Sequence, residues 1–326
     1  RFQLGQNYHY FSVMKLSTIS SFKPGSIIRG FYICKEKSHR NKKNGDAYLD
    51  IVLQDKTGKI TAKIWDNVLH FDDLFEASEP VAVKGKVEDY NSRSQLVIQQ
   101  IKRANDKTYQ KYGFSLSQLI ERVDEPIDEL WSVLQDAVKS LKNPYKKLIT
   151  SIVRQFESEI KLIPASIDHH HPISGGFLKH ITGMINITDS LLGNYKSLNR
   201  DLIISGIVLH DIGKVKGLRF STEADYTDPG KLIGHISLGL EILNESVENI
   251  KIDEEILLKL KHIILSHQGN SQNGTPMPPR FPEALFINLL DTFDAKMDIM
   301  QREINNNPNQ DWTDKHNHFY RELWKK

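Results

Sequence analysis

Apolar positions along the chain follow two periods, which change over just past residue 103. Between residues 26 and 104 lie the segments SIIRGFYICKEKS, AYLDIVLQDKTGKITAKIW, PVAVKGKVEDY and SQLVIQQIKRA. They carry β-branched and aromatic residues, partly in alternation, which predicts strands with one side in a core. Asp55-Lys56-Thr57-Gly58 predicts a hairpin turn, with Gly58 free to take positive φ, and Tyr90-Asn91-Ser92-Arg93 predicts another. About five short strands in roughly 80 residues suit a small Greek-key barrel of the OB type, with an SH3-like barrel as the structural alternative. From Ser115 the spacing becomes helical. SLSQLIERVDEPIDELWSVLQDAVKSL and PYKKLITSIVRQFESEI place apolar residues three and four apart, broken at Pro126 and Pro144. Helices are expected over roughly 176–193, 200–210, 233–247, 252–267, 281–304 and 312–324, separated by DHHHPISG, NGTPMPPRFP and NNNPNQ.

The expected organisation is therefore multidomain, α and β. An N-terminal extension covers 1–25, a small β-barrel 26–103, a helical connector 104–160 and an all-α domain 161–326. Met14-Lys15 would make a natural start, with residues 1–13 ahead of it. The 326 residues are enough for about two domains, each with its own core. With 39% hydrophobic and 26% charged residues the composition is that of a soluble globular protein. No apolar run reaches the ~18–20 residues of a membrane helix, and no signal-peptide pattern is present. The single Cys34 excludes an internal disulfide framework and fits a reducing cytoplasm. Charge is uneven. Residues 1–113 hold 19 Lys and Arg against 12 Asp and Glu, while the remainder holds 24 against 29. A basic front half and an acidic back half suggest a polyanion-binding module joined to something that concentrates carboxylates.

The acidic half also concentrates histidines. His180 lies in GGFLKHITGMI, His210-Asp211 closes DLIISGIVLHD, and His235 lies in KLIGHISLGLEIL. His262 and His267 lie in LLKLKHIILSHQG, and Asp291 lies in EALFINLLDTFDA. Several of these polar groups interrupt apolar helix faces. One buried histidine is commonly satisfied by a carbonyl. Five or six buried together each need a partner, and one shared cation satisfies them all. Imidazole and carboxylate without thiolate suit Mn²⁺, Fe²⁺, Ni²⁺, Zn²⁺ or Mg²⁺. His210 and Asp211 are neighbours at a helix end, where the chain leaves helical geometry and both side chains can reach one ion. Mid-helix neighbours would point about 100° apart.

The order His180, His210-Asp211, Asp291, with LHDIGKV and its Gly213-Lys214, resembles the HD-domain metal-dependent phosphohydrolases. A longer set, LQDKTGKITAKIWD, HHPISGGFLKH, LHDIGKV, GHI and ILSHQG, is similar to the YhaM-type 3′→5′ exoribonucleases, which join an OB-fold to an HD domain. The resemblance implies His180, His210, Asp211 and Asp291 as core ligands, and His235 and His267 as the histidines of a second ion. It implies one or two divalent ions, with Mn²⁺ first among those above. His267-Gln268-Gly269 departs from the His-His-Gly of relatives. A ligand at the first histidine leaves a two-ion site intact, whereas a ligand at the second removes it. His262 is then either a substitute or a core residue.

The implied activity is hydrolysis of single-stranded RNA, with single-stranded DNA as a further substrate, from the 3′ end to nucleoside monophosphates. Asp211 and Lys214 would be catalytic, the lysine reaching toward a phosphate oxygen or simply ending a helix as a surface cation. His170 and His171, on a Gly-rich helix entry, and Arg280, in MPPRFP, are candidate substrate contacts. On the barrel the candidates for stacking bases are Tyr48 and Trp65, with Phe31 and Tyr90 behind them. Arg40, Lys42 and Lys43, in the cation-rich stretch KEKSHRNKKNGD, would grip phosphates from a loop between two strands, joined by Lys37 and Lys63. A second reading is an HD phosphohydrolase of a small nucleotide, its barrel regulatory or oligomerising. A third is a nucleic-acid binder with a dead site. The oligomeric state is left open by the sequence, with Leu119, Leu130, Trp131 and Leu134 of the connector available to pack on another subunit of a homo-oligomer.

Overall fold

The structure, a computed structural model, describes residues 16–42, 44–90, 93–248, 250–269, 276–305 and 311–326. Two compact units result. Among the described residues, those up to 121 with 221–223 form one, and 122–220 with those from 224 onward the other.

The first unit contains β1 (Ile27–Asn41), β2 (Ala47–Asp55), β3 (Gly58–Ile64), a short helix α1 (Val68–Asp72), β4 (Glu79–Tyr90) and β5 (Arg93–Arg103). They close a barrel in the order β1-β2-β3-β5-β4. Neighbours are antiparallel except β3 and β5, which run parallel at Ala62↔Leu96 and Lys63↔Val97. This is the OB arrangement. Strand β2 shows the alternation behind it: Leu49, Ile51 and Leu53 are fully buried, with half-exposed residues between them. The cation-rich stretch expected as a loop is instead largely strand. Glu36 to Asn41 pair with Val52 to Ala47 beyond a bulge at Cys34/Glu36. Its residues are polar, but a ladder depends on backbone groups and an available partner strand, which β2 provides. Lys43 lies outside the described residues.

After a short helix α2 (Asp106–Tyr109), the second unit is built from α3 (Ile127–Ser140), α4 (Tyr145–Gln155), α5 (Glu157–Leu162), α6 (Gly176–Leu192), α7 (Arg200–Leu209) and α8 (Lys214–Gly217). A two-stranded ribbon, β6 (Leu218–Phe220) and β7 (Ala224–Tyr226), follows. The chain continues in α9 (Asp228–Leu232), α10 (His235–Val247), α11 (Glu254–Ser266) and α12 (Pro282–Asn305). Helix α7 runs through the middle. Every residue from Leu202 to Leu209 is buried, as a helix apolar all round must be. The Asn199 side chain caps its start by accepting from the Leu202 N–H.

Two expectations change. Residues 127–160 do not stand apart as a connector, since Trp131, Leu134, Leu148 and Ile160 join the same core as α6 and α7. Trp131 and Leu134 are thus committed inside this subunit, Leu119 is buried as well, and Leu130 packs against the core. The expected helix at 312–324 does not form. Only Leu323 of its large apolar residues is buried, and the Asn317 amide donates to the Asp314 and Arg321 carbonyls. Side-chain bonds of this kind compete with the helical ladder.

Candidate metal centre and nucleic-acid interface

Three helices deliver their side chains to one buried point. His180 lies within α6, His210 and Asp211 follow the end of α7, and Asp291 lies on α12. The His180 Nε2 is 3.3 Å from His210 Nε2 and 3.3 Å from Asp291 Oδ1. Asp211 Oδ2 is 3.4 Å from His210 Nε2. The second oxygen, Oδ1, faces another pair, at 3.3 Å from both His235 Nε2 and His267 Nε2. All six residues expected as ligands are therefore together, in two adjacent groups that share Asp211. In each of the triads His180–His210–Asp211 and Asp211–His235–His267, one ligand atom per residue lies within 4.8 Å of the others.

Local sequence explains the convergence. The chain turns sharply after α7, and Gly213 lets this turn pass against the start of α10. A Cβ on Gly213 would lie 1.8 Å from the His235 carbonyl oxygen. His267 caps α11, with its carbonyl accepting from Asn288 Nδ2 of α12 at 2.7 Å.

The donor set fits a divalent cation. Asp211 Oδ1, His267 Nε2 and His170 Nε2 are buried and lack a hydrogen-bond partner. Each such orphan costs about 1–3 kcal/mol unless something satisfies it. Burial alone would push the His180 imidazole down. Hydrogen bonds and charge from Asp291 and Asp294 outweigh it and hold His180 up to about 9. Burial opposes the charge of Asp291 as well, yet His180 and His210 keep its carboxyl well below the usual range. Burial pushes His235 down to about 4 and His170 to about 3, leaving both neutral at pH 7.

Lys214 Nζ lies 2.5 Å from Asp211 Oδ2 and lines a cavity of about 530 Å³ beside the cluster. His170 and His235 line it too, with Ser166, Tyr226, Lys231 and Gln268. His171 does not. Its ring is clamped between Asp294 Oδ2 at 3.1 Å and Asp298 Oδ1 at 3.0 Å, so it braces the site from behind. Arg280 is exposed and stands outside the cavity lining, its backbone N–H donating to His262 Nε2 at 3.1 Å. His262 is thereby spent on the loop. At the departure from His-His-Gly, the first position faces Asp211, and Gln268 Nε2 lies 3.3 Å from His235 Nε2. Asp294 and Asp298 escaped sequence reasoning. Their signal was the spacing from Asp291, three and seven residues along α12, which keeps all three on one face.

On the barrel, Tyr48 and Trp65 stack with ring centroids 4.7 Å apart and planes at 33°. Lys63 lies over the Tyr48 ring and Lys42 over Trp65, at 5.2 and 5.7 Å. Asp50 holds the Lys63 ammonium at 2.6 Å and Arg40 Nε at 3.0 Å. The result is a half-exposed aromatic platform edged by cations. Phe31 belongs to a buried cluster with Tyr109 and Phe114, and Lys37 is tied to the carbonyls of Asp72 and Phe75.

Comparison with known proteins agrees with this geometry. Residues 177–296 match the HD domain family, and residues 36–104 match the OB-fold nucleic acid binding domain family. Among curated proteins, the 3′-5′ exoribonuclease YhaM of Bacillus velezensis is 34% identical over 281 residues, 86% of this chain and 88% of the relative. Its counterpart in Bacillus subtilis is 32% identical over the same shares, and that of Listeria innocua is 32% identical over 86% and 89%. Similarity of this extent spans both units, and the chain belongs to the YhaM family of 3′-5′ exoribonucleases.

Proposed function

We propose that this protein is a metal-dependent exonuclease that shortens single-stranded RNA from its 3′ end, releasing nucleoside monophosphates. The observation that carries the reading is the meeting of His180, His210, Asp211, His235, His267 and Asp291 around unsatisfied buried donor atoms. A divalent ion there supplies an activated water at neutral pH and neutralises charge on the phosphoryl oxygens. We take the metal as Mn²⁺, one of the cations that imidazole and carboxylate donors without thiolate suit; His180, His210, Asp211 and Asp291 would hold one ion, and His235 and His267 with Asp211 would hold a second. In hydrolysis a water oxygen bonds to the terminal phosphorus, the bond from phosphorus to the 3′ oxygen of the preceding nucleotide breaks, and that oxygen takes a proton. Lys214 sits at the cavity wall where an ammonium offsets phosphate charge. His170 lines the same wall. Tyr48, Trp65, Arg40 and Lys42 would hold the strand by stacking and phosphate contact. That platform favours a polymer over a small nucleotide as substrate. Single-stranded DNA fits the same platform chemistry, and we place the enzyme in the cytoplasm. Among the described residues no helix is long and apolar enough to cross a membrane.

The test is a 5′-labelled RNA oligomer incubated with the protein and Mn²⁺, beside a dinucleotide and a cyclic nucleotide. A ladder that shortens from the 3′ end is expected. Turnover of the small substrates alone would replace this reading with the phosphohydrolase one. In the same system Trp65→Ala should weaken RNA binding by roughly 5- to 150-fold, the worth of one stacked base. Lys42→Ala should lower the slope of log affinity against log salt by about 1. Unchanged binding in both variants would remove the platform from the interface.

A further inference from the structure

We infer that Asp294 is a positioning residue that aims His180 at the metal, held in place by His171, Asp298 and Arg302. The inference rests on the reading of His180 as a ligand. A ligating imidazole offers one nitrogen's lone pair, and the hydrogen bond given by its other nitrogen decides which.

His210 and His267 solve this locally. Each sits where its helix ends, and each Nδ1–H donates to a carbonyl three residues back, that of Ile207 at 2.7 Å and that of Ile264 at 2.9 Å. His180 makes no such bond. It lies inside α6, away from either helix end. Its partner comes from another element: α12 supplies Asp294, with Oδ2 2.7 Å from Nδ1. The Nε2 lone pair is thereby turned toward His210 and Asp291, each 3.3 Å away.

Asp294 is itself pinned. Its Oδ2 also takes His171 Nε2 at 3.1 Å. The backbone N–H of His171 donates to Asp298 Oδ2 at 2.8 Å, and Arg302 Nε donates to the same oxygen at 2.9 Å. Asp291, Asp294, Asp298 and Arg302 follow one another at three and four residues, so a single face of α12 carries a ligand and the supports behind its neighbour. Gly183, just under a turn beyond His180, leaves room for this carboxylate. A Cβ there would lie 2.7 Å from Asp294 Oδ1.

The test is calorimetric titration of metal-free protein with Mn²⁺, with metal-free Tm measured beside it, for wild type, Asp294→Ala, Asp294→Asn and Gly183→Ala. Asp294→Ala should bind Mn²⁺ about 10- to 100-fold more weakly, the usual loss on removing an outer partner of a ligand. Asp294→Asn keeps an oxygen for the Nδ1–H and should recover most of the affinity. Gly183→Ala crowds the Asp294 carboxylate and should weaken binding as well, with some fall in metal-free Tm as the hydrogen bonds to His171 and His180 loosen. Rescue by Asp294→Asn separates aiming from packing, and Gly183→Ala serves even if Asp294→Ala fails to fold. Unchanged affinity in Asp294→Ala and Gly183→Ala, or an Asp294→Asn that binds as weakly as Asp294→Ala, would overturn the inference alone. Wild-type protein that binds no Mn²⁺ would overturn the metal-centre reading and this inference with it.

Discussion

Asp211→Ala should lower kcat/KM on RNA by at least about 10³-fold, because its carboxylate faces both candidate ligand groups and removing it opens both. One oxygen lies 3.4 Å from His210 Nε2, and the other lies 3.3 Å from His235 and His267. No neighbour substitutes for it: Asp291 contacts His180, and Asp294 is occupied with the Nδ1 side of the same ring. RNA binding by the barrel should persist, since Tyr48 and Trp65 belong to the other unit. Removing a buried carboxylate also strands the Lys214 ammonium beside it, and breaking such a pair costs about 3–5 kcal/mol. A fall in Tm is therefore expected in the alanine variant. Asp211→Asn, which keeps the shape and removes the charge, should lose activity to a similar degree with less loss of Tm. Steady-state kinetics and thermal melting on the two variants check this. Retained cleavage would place the chemistry elsewhere.

Divalent-ion affinity should fall as pH falls from 9 toward 6, by about tenfold per pH unit for each proton the ion displaces. Asp291 and Asp294 hold the buried His180 up to about 9, so below that pH the metal-free ring carries a proton on the nitrogen the ion needs. Above about 9 the ring is already free and the dependence should flatten. Asp211 holds His267 up in the same way, against its burial, which makes the slope steeper than one proton alone gives. His235, pushed down to about 4, is neutral throughout and adds nothing. Stability of the metal-free protein carries the matching sign. A raised His180 contributes stability that is fully present below its ordinary 6.5 and is lost as pH rises through about 9. The rise in Tm on adding Mn²⁺ should accordingly grow from pH 6.5 to 9. Titration and melting across that range test the point, and a pH-independent affinity would contradict it.

Much of this was legible in the sequence because two signals are local. Alternation in AYLDIVLQD and helical spacing in DLIISGIVLHD each follow from which side of an element meets the core. The meeting of the six candidate ligands was legible for a related reason: a histidine or aspartate on an apolar face needs a partner, and one shared cation is a common explanation for six. What sequence hid was pairing between distant elements. Glu36–Asn41 reads as a charged loop until β2 is beside it, and His171 reads as a solvent-facing contact until α12 supplies Asp294 and Asp298. The tail at 312–324 misled in the other direction, its apolar spacing helical but its burial confined to Leu323. His210 and His267 hid nothing, since each is oriented by a carbonyl three residues away in its own chain segment.

The most direct measurement is anomalous scattering from crystals of the protein grown or soaked with Mn²⁺. Density is expected among the side chains of His180, His210, Asp211 and Asp291, with a second peak on the side of His235 and His267 and Asp211 between them. Crystals of active enzyme that hold manganese elsewhere, or none at all, would contradict it.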